Sequence, residues 1–108
     1  MHPFVLGYAN FPEDLACRGA AFKMHGQYLV AIDKNLDVHE QKKLLKVELS
    51  QILLGHFEAE FDGLSFCRDA DMLKAWDYAE KMTDIEFAHL MEYQITTIDL
   101  PIGKHADV

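Results

Sequence analysis

Cysteine is scarce in this 108-residue chain, where Cys17 and Cys67 lie far apart and form no Cys-x-x-Cys pair. That excludes both a thiolate metal knuckle and the dense disulfide framework of a small secreted domain, so both cysteines are read as free thiols in a reducing compartment. Positive charge is also short, with 10 Lys plus Arg against 18 Asp plus Glu and a formal charge of -8. A nucleic-acid groove needs phosphate neutralisation, so no direct nucleic-acid partner is expected. The acidity suits an ordinary soluble protein, or one that meets a basic protein surface. Long apolar runs are missing, which excludes a membrane-spanning helix, and Met1-His2-Pro3-Phe4 lacks the basic start and apolar stretch of a signal peptide. The expectation is a cytoplasmic protein with no membrane partner. No repeat, low-complexity tract or linker divides the chain. Half of it is apolar, enough for one modest core, so residues 1–108 are read as one domain with a tail from about 99.

Local patterns predict the elements. Pro3-Phe-Val-Leu-Gly-Tyr8 suits a short edge strand, and Phe11-Pro12-Glu13-Asp14-Leu15 a turn or single helical turn. Two apolar-rich segments, 20–25 and 28–33, flank His25-Gly26-Gln27, where Gly26 supplies the positive φ of a tight hairpin. The nearly continuous apolar run Tyr28-Leu-Val-Ala-Ile32 fits a strand covered by a helix. Asp37 with Glu40 three residues on makes a capping-box-like start for a helix that runs to about Leu54 and ends at Gly55. At 100° per residue, Leu44, Leu45, Glu48, Leu49, Gln51 and Ile52 share one arc of it, with Lys42, Lys43, Lys46 and Ser50 largely outside. A second helix is expected from Asp69 to about Met82. A third is capped by Thr83-Asp84 and fades near Ile95-Thr96-Thr97. The predicted fold is α+β: a small antiparallel sheet of two or three strands packed on the 37–54 helix and followed by two helices. Its core is expected to hold Val30, Ile32, Leu45, Leu49, Ile52, Ala75 and Ala79.

Glu48 is the one acid on the buried arc of that helix. A bare buried charge is costly, so the carboxyl must be hydrogen-bonded or protonated, with Gln51 one turn on, or a sheet N–H, as the partner. The histidines His2, His25, His39, His89 and His105 fall at turns, helix starts or ends without metal-ligand spacing. Phe57, Phe61, Phe66, Trp76 and Tyr93 either finish the core or form a binding patch, including one for a homodimer.

The run Val47-Glu48-Leu49-Ser50-Gln51-Ile52-Leu53-Leu54-Gly55-His56 resembles the peptidase helix of the ImmA/IrrE family of small metallopeptidases, which favours His-Glu-Leu-x-His-Ile-Leu-Leu-Gly-His. Upstream, Ile32-Asp33-Lys34-Asn35-Leu36 and, downstream, Ala75-Trp76-Asp77-Tyr78-Ala79 fit the same ordered pattern, so the resemblance covers residues 19 to 79. It implies a zincin-like minimal fold and carries Glu48 onto the general base. The two histidine ligands fall on Val47 and Gln51, and the third ligand on Met72. All three are poor zinc donors, and without the ion no water is activated, leaving Glu48 a base with no nucleophile.

The resemblance therefore implies a catalytically inactive metallopeptidase-like protein with no metal and no cofactor, acting on a protein partner. Family association with mobile elements implies a phage-associated regulator or inhibitor of a host system, such as an anti-defence protein. Two alternatives stay open. One is a divergent zinc metallopeptidase with a site rearranged onto His56, Glu48 and Asp69 or Asp71. The other is a regulatory partner of a repressor.

Overall fold

The computed structural model describes residues 1–55, 57–59, 64–67 and 69–100, and for residues 58, 59, 64–67, 69 and 70 the backbone only. Its elements run β1 (Phe4–Ala9), β2 (Gly19–Met24), β3 (Gln27–Asp33), α1 (Val38–Leu54), β4 (Phe57–Ala59), β5 (Leu64–Cys67), α2 (Asp69–Lys81), α3 (Asp84–Met91) and β6 (Gln94–Asp99). The fold is α+β, as the alternation of patterns predicts, with three helices and a mixed sheet in the order β4-β5-β2-β3-β1-β6.

The hairpin and the helix starts form where their local chemistry dictates. His25 (φ 50°) and Gly26 (φ 82°) are consecutive left-handed residues, the pair a two-residue turn needs to match the twist of β2 and β3. The Asp37 carboxylate accepts from the Glu40 N–H at 2.8 Å, and Gly55, at φ 72°, donates back to the carbonyls of Gln51 and Ile52. Thr83 and Glu86 complete a reciprocal capping box at the start of α3, each contact 3.1 Å.

Three expectations are corrected. The sheet is neither small nor antiparallel: β1, β2, β3 and β6 form its body, β4 and β5 extend it beyond β2, and β1 pairs in parallel with both β3 and β6. Residues 3–8 are consequently not an edge strand, because β1 lies between two neighbours. Finally, α3 stops at Met91 and Gln94–Asp99 is a strand, where fading helix and the start of a tail were expected. The Thr96-Thr97 β-branched pair is at home in a strand, and pairing with β1 decides the matter over the helical pattern that precedes it.

The core lies between one sheet face and α1. Phe4 and Leu6 of β1 and Val30 and Ile32 of β3, all essentially solvent-free, meet Leu45, Leu49 and Ile52, joined at the edge by Phe87, Leu90 and Met91 of α3. Each such aliphatic or aromatic side chain contributes roughly 2 kcal/mol by leaving water. A second contact surface of α1 carries Val47 against Ala75 and Ala79 of α2, with Met72 and Trp76 around them. All seven residues expected in the core are buried. Because α1 is covered on two sides, Ser50, expected outside the arc, is fully buried too, and its hydroxyl bonds back to the Lys46 carbonyl at 2.7 Å.

Candidate functional site

Glu48 projects from the middle of α1 toward the start of β2. A Cβ placed on Gly19 would sit 3.5 Å from Glu48 Oε2 and 3.3 Å from Ile32 Cδ1, so the carboxyl fills the space that this glycine leaves open. The other carboxyl oxygen, Oε1, accepts a hydrogen bond from Gln51 Nε2, one turn along the helix. Only 2 % of Glu48 is exposed. Burial pushes its carboxyl up from 4.5 to about 8, against a smaller opposing pull from the Gln51 donor. At neutral pH the group is therefore predominantly a neutral acid, able to donate as well as accept, and a poor base.

Glu48 lies on the wall of a cleft of about 450 Å³ lined also by Glu40, Leu44 and Val47 of α1, Met72 and Trp76 of α2, Leu36 before α1, and Ala16, Cys17, Arg18 and Gly19 before and in β2. Arg18 shapes the strand side. Its guanidinium donates to Asp33 Oδ2 at 3.1 Å and to the carbonyls of Phe11, Glu13 and Leu15, tying down the 10–17 segment. Asp33 is itself buried, and it also accepts from the Asn35 backbone and side chain, so the ion pair sits inside a satisfied network. Nothing in the local pattern around Arg18 announces this role, which depends on three carbonyls converging in a folded loop.

The positions matched by the resemblance come together. Val47, Glu48 and Met72 share the cleft, and Gln51 touches Glu48. No family model matches the chain, and no curated protein or solved structure matches it either. The site must therefore be judged on its own chemistry. Zinc does not fit the donors at these positions: Val47 is aliphatic, Met72 offers a thioether, and Gln51 spends its amide on Glu48.

The remaining candidates are scattered. Of the rearranged set, His56 and the side chain of Asp69 lie outside the described residues. Asp71 is largely buried on α2, with Lys74 Nζ at 3.8 Å. Among the described residues no three His, Cys, Asp or Glu are grouped to hold a metal. His2 stacks on Tyr28 with ring centres 5.1 Å apart, His25 occupies the hairpin turn, and His89 faces Glu92 at 3.6 Å. His105 lies outside the described residues. Cys17 is exposed, while the side chain of Cys67 is outside them. Of the aromatic residues, Phe57 packs edge-to-face on Tyr28 in the sheet core, Trp76 sits against α1, and Tyr93 is exposed in the turn before β6. These three occupy separate settings and do not form one patch; Phe61 and the side chain of Phe66 lie outside the described residues.

A second cleft escaped the sequence reading. His39, Lys42, Lys43 and Lys46 of α1 line a groove of about 470 Å³ closed by Trp76, Ala79 and Glu80 of α2 and by Asp84. Their spacing of i, i+3, i+4 and i+7 was a visible signal of one helix face. Only the placement of α2 and α3 turns that face into a wall.

Proposed function

We propose that this chain is a catalytically inactive, metallopeptidase-like protein that acts by binding a segment of a partner protein in the cleft beside Glu48. The observation that carries the reading is the neutralised acid: Gln51, at a matched ligand position, holds Glu48, while Val47 and Met72 line the same cleft with apolar surface. A cleft of this composition offers an apolar seat with a few polar groups, Arg18, Glu40 and Glu48, at its walls, which suits a side chain or backbone turn of a polypeptide. The zincin-like arrangement of the sheet and α1, and a role as a phage-associated regulator or inhibitor of a host system, are parts of the same proposal and rest on the resemblance.

Two measurements test it. Native protein purified without chelators is expected to carry no stoichiometric zinc, whereas Val47→His, Gln51→His and Met72→Glu together are expected to create a zinc site, because the three positions converge. Stoichiometric zinc in the parent protein, lost in Glu48→Gln, would overturn the reading in favour of an enzyme. In a bacterial lysate the parent chain should capture a protein that a Met72→Lys variant with unchanged thermal unfolding does not. Recovery of a helix-turn-helix repressor would assign the chain to repressor regulation, and recovery of a nuclease to anti-defence inhibition.

A further inference from the structure

From the lysine-lined groove between α1 and the α2–α3 corner, we infer a second binding site that takes an acidic polypeptide segment. This inference does not depend on the cleft beside Glu48. The chain as a whole is strongly acidic, with a formal charge of -8, yet His39, Lys42, Lys43 and Lys46 stand together on one wall of one groove, where three lysines outnumber the two acids, Glu80 and Asp84, that line its other side. Such local reversal of sign in an otherwise repulsive field selects anionic partners and steers their approach.

The groove also shows what an anion does there. The exposed carboxylate of Asp84, at the start of α3, lies 3.0 Å from Lys42 Nζ and 3.6 Å from Lys46 Nζ. Both ammonium groups lie over the ring of Phe87, at 5.5 and 5.7 Å from its centre. Lys46 is mostly covered, its side chain 19 % exposed, so its ammonium is positioned and partly desolvated before any partner arrives. Among the described residues neither Lys43 nor His39 is ion-paired, and both face the same space. A partner carboxylate can therefore take the place of Asp84 between Lys42 and Lys46 while a second one reaches Lys43. Trp76 supplies an apolar wall beside them, against which the stem of a glutamate or a neighbouring aliphatic residue packs. A small inorganic anion would use the charge and leave that wall idle, which favours a peptide.

Trp76 is the only tryptophan in the chain and borders both this groove and the cleft beside Glu48, so its emission reports binding at either, and the lysine variants assign the response to this groove. The test is a fluorescence titration of the full chain with the peptide acetyl-Gly-Glu-Glu-Leu-Glu-Glu-amide, its all-glutamine counterpart and inorganic phosphate. The expected result is a saturable change with the glutamate peptide only, weakening severalfold as salt is raised. Lys43→Ala and Lys46→Ala should each weaken it, and Asp84→Asn should strengthen it by removing the internal competitor. Lys43 is exposed, so its variant is not confounded by loss of folding. Equal binding of the glutamine peptide, an equal response to phosphate, or weaker binding in Asp84→Asn would each overturn the inference.

Discussion

The sharpest test of the structure lies in Glu48→Gln. A glutamine reproduces the shape and hydrogen bonding of the protonated carboxyl: its carbonyl accepts from Gln51, and its amide takes the place of the acid hydroxyl. In the native protein Glu48 holds its proton up to about 8, while in the unfolded chain it releases it near 4.5. Between those values the native state carries a proton that the unfolded state has lost, so rising pH favours unfolding. The stability linked to Glu48 is complete below 4.5 and is lost as pH rises through about 8. Each pH unit inside that window costs about 1.4 kcal/mol, so at pH 7 the parent is expected to trail the variant by roughly 3 kcal/mol, and at pH 8.5 by roughly 4–5 kcal/mol. Urea unfolding of both proteins from pH 5.5 to 8.5 measures the gap directly, and following the difference cancels every other titrating group. A gap that stays flat across this range, or a variant less stable than the parent at pH 8.5, would refute a buried neutral acid.

Other consequences are equally direct. Leu49→Asp puts an unpaired charge at a fully buried position of α1 and is expected to abolish cooperative thermal unfolding, whereas Leu49→Ala should cost about 2–5 kcal/mol and leave the fold intact. Arg18→Ala removes the donor shared by Asp33 and three carbonyls, and should cost about 2–3 kcal/mol and open the 10–17 segment to limited proteolysis before global unfolding. Gly7→Ala drives a methyl to 2.6 Å from Leu100 Cδ1, and the destabilisation should be smaller in a Leu100→Ala background, a coupling that a double-mutant cycle of melting midpoints will show.

What could be read from the chain follows the range of the interactions involved. The turn at His25-Gly26, the Asp37 and Thr83 caps and the Gly55 stop are settled within a few residues, and their chemistry is printed in the local sequence. The phase of α1 likewise placed Glu48 and Gln51 on a common buried side. Ser50 was misplaced because periodicity describes one buried face and α1 has two, the second created by α2. Parallel pairing of β1 with both neighbours joins residues far apart in the chain, and no local pattern reports it. At the candidate site, the matched positions Val47, Glu48, Gln51 and Met72 did converge, through the spacing of one helix and the docking of another. Arg18 and the lysine groove were invisible for the same reason as the sheet order: their meaning comes from which elements they meet.

The position of β1 has a temporal consequence. The first strand of the chain is hydrogen-bonded on one side to residues 28–33 and on the other to residues 94–99. During synthesis the hairpin and α1 can form early, but one edge of β1 stays bare until residues 94–99 have been made. An exposed parallel edge of this kind is a template for pairing with other chains. Completion of the sheet is thus a late, long-range closure, of the sort that slows folding and leaves nascent chains prone to association. Loss of β6 would strip that strand of its hydrogen-bond partners along one whole side.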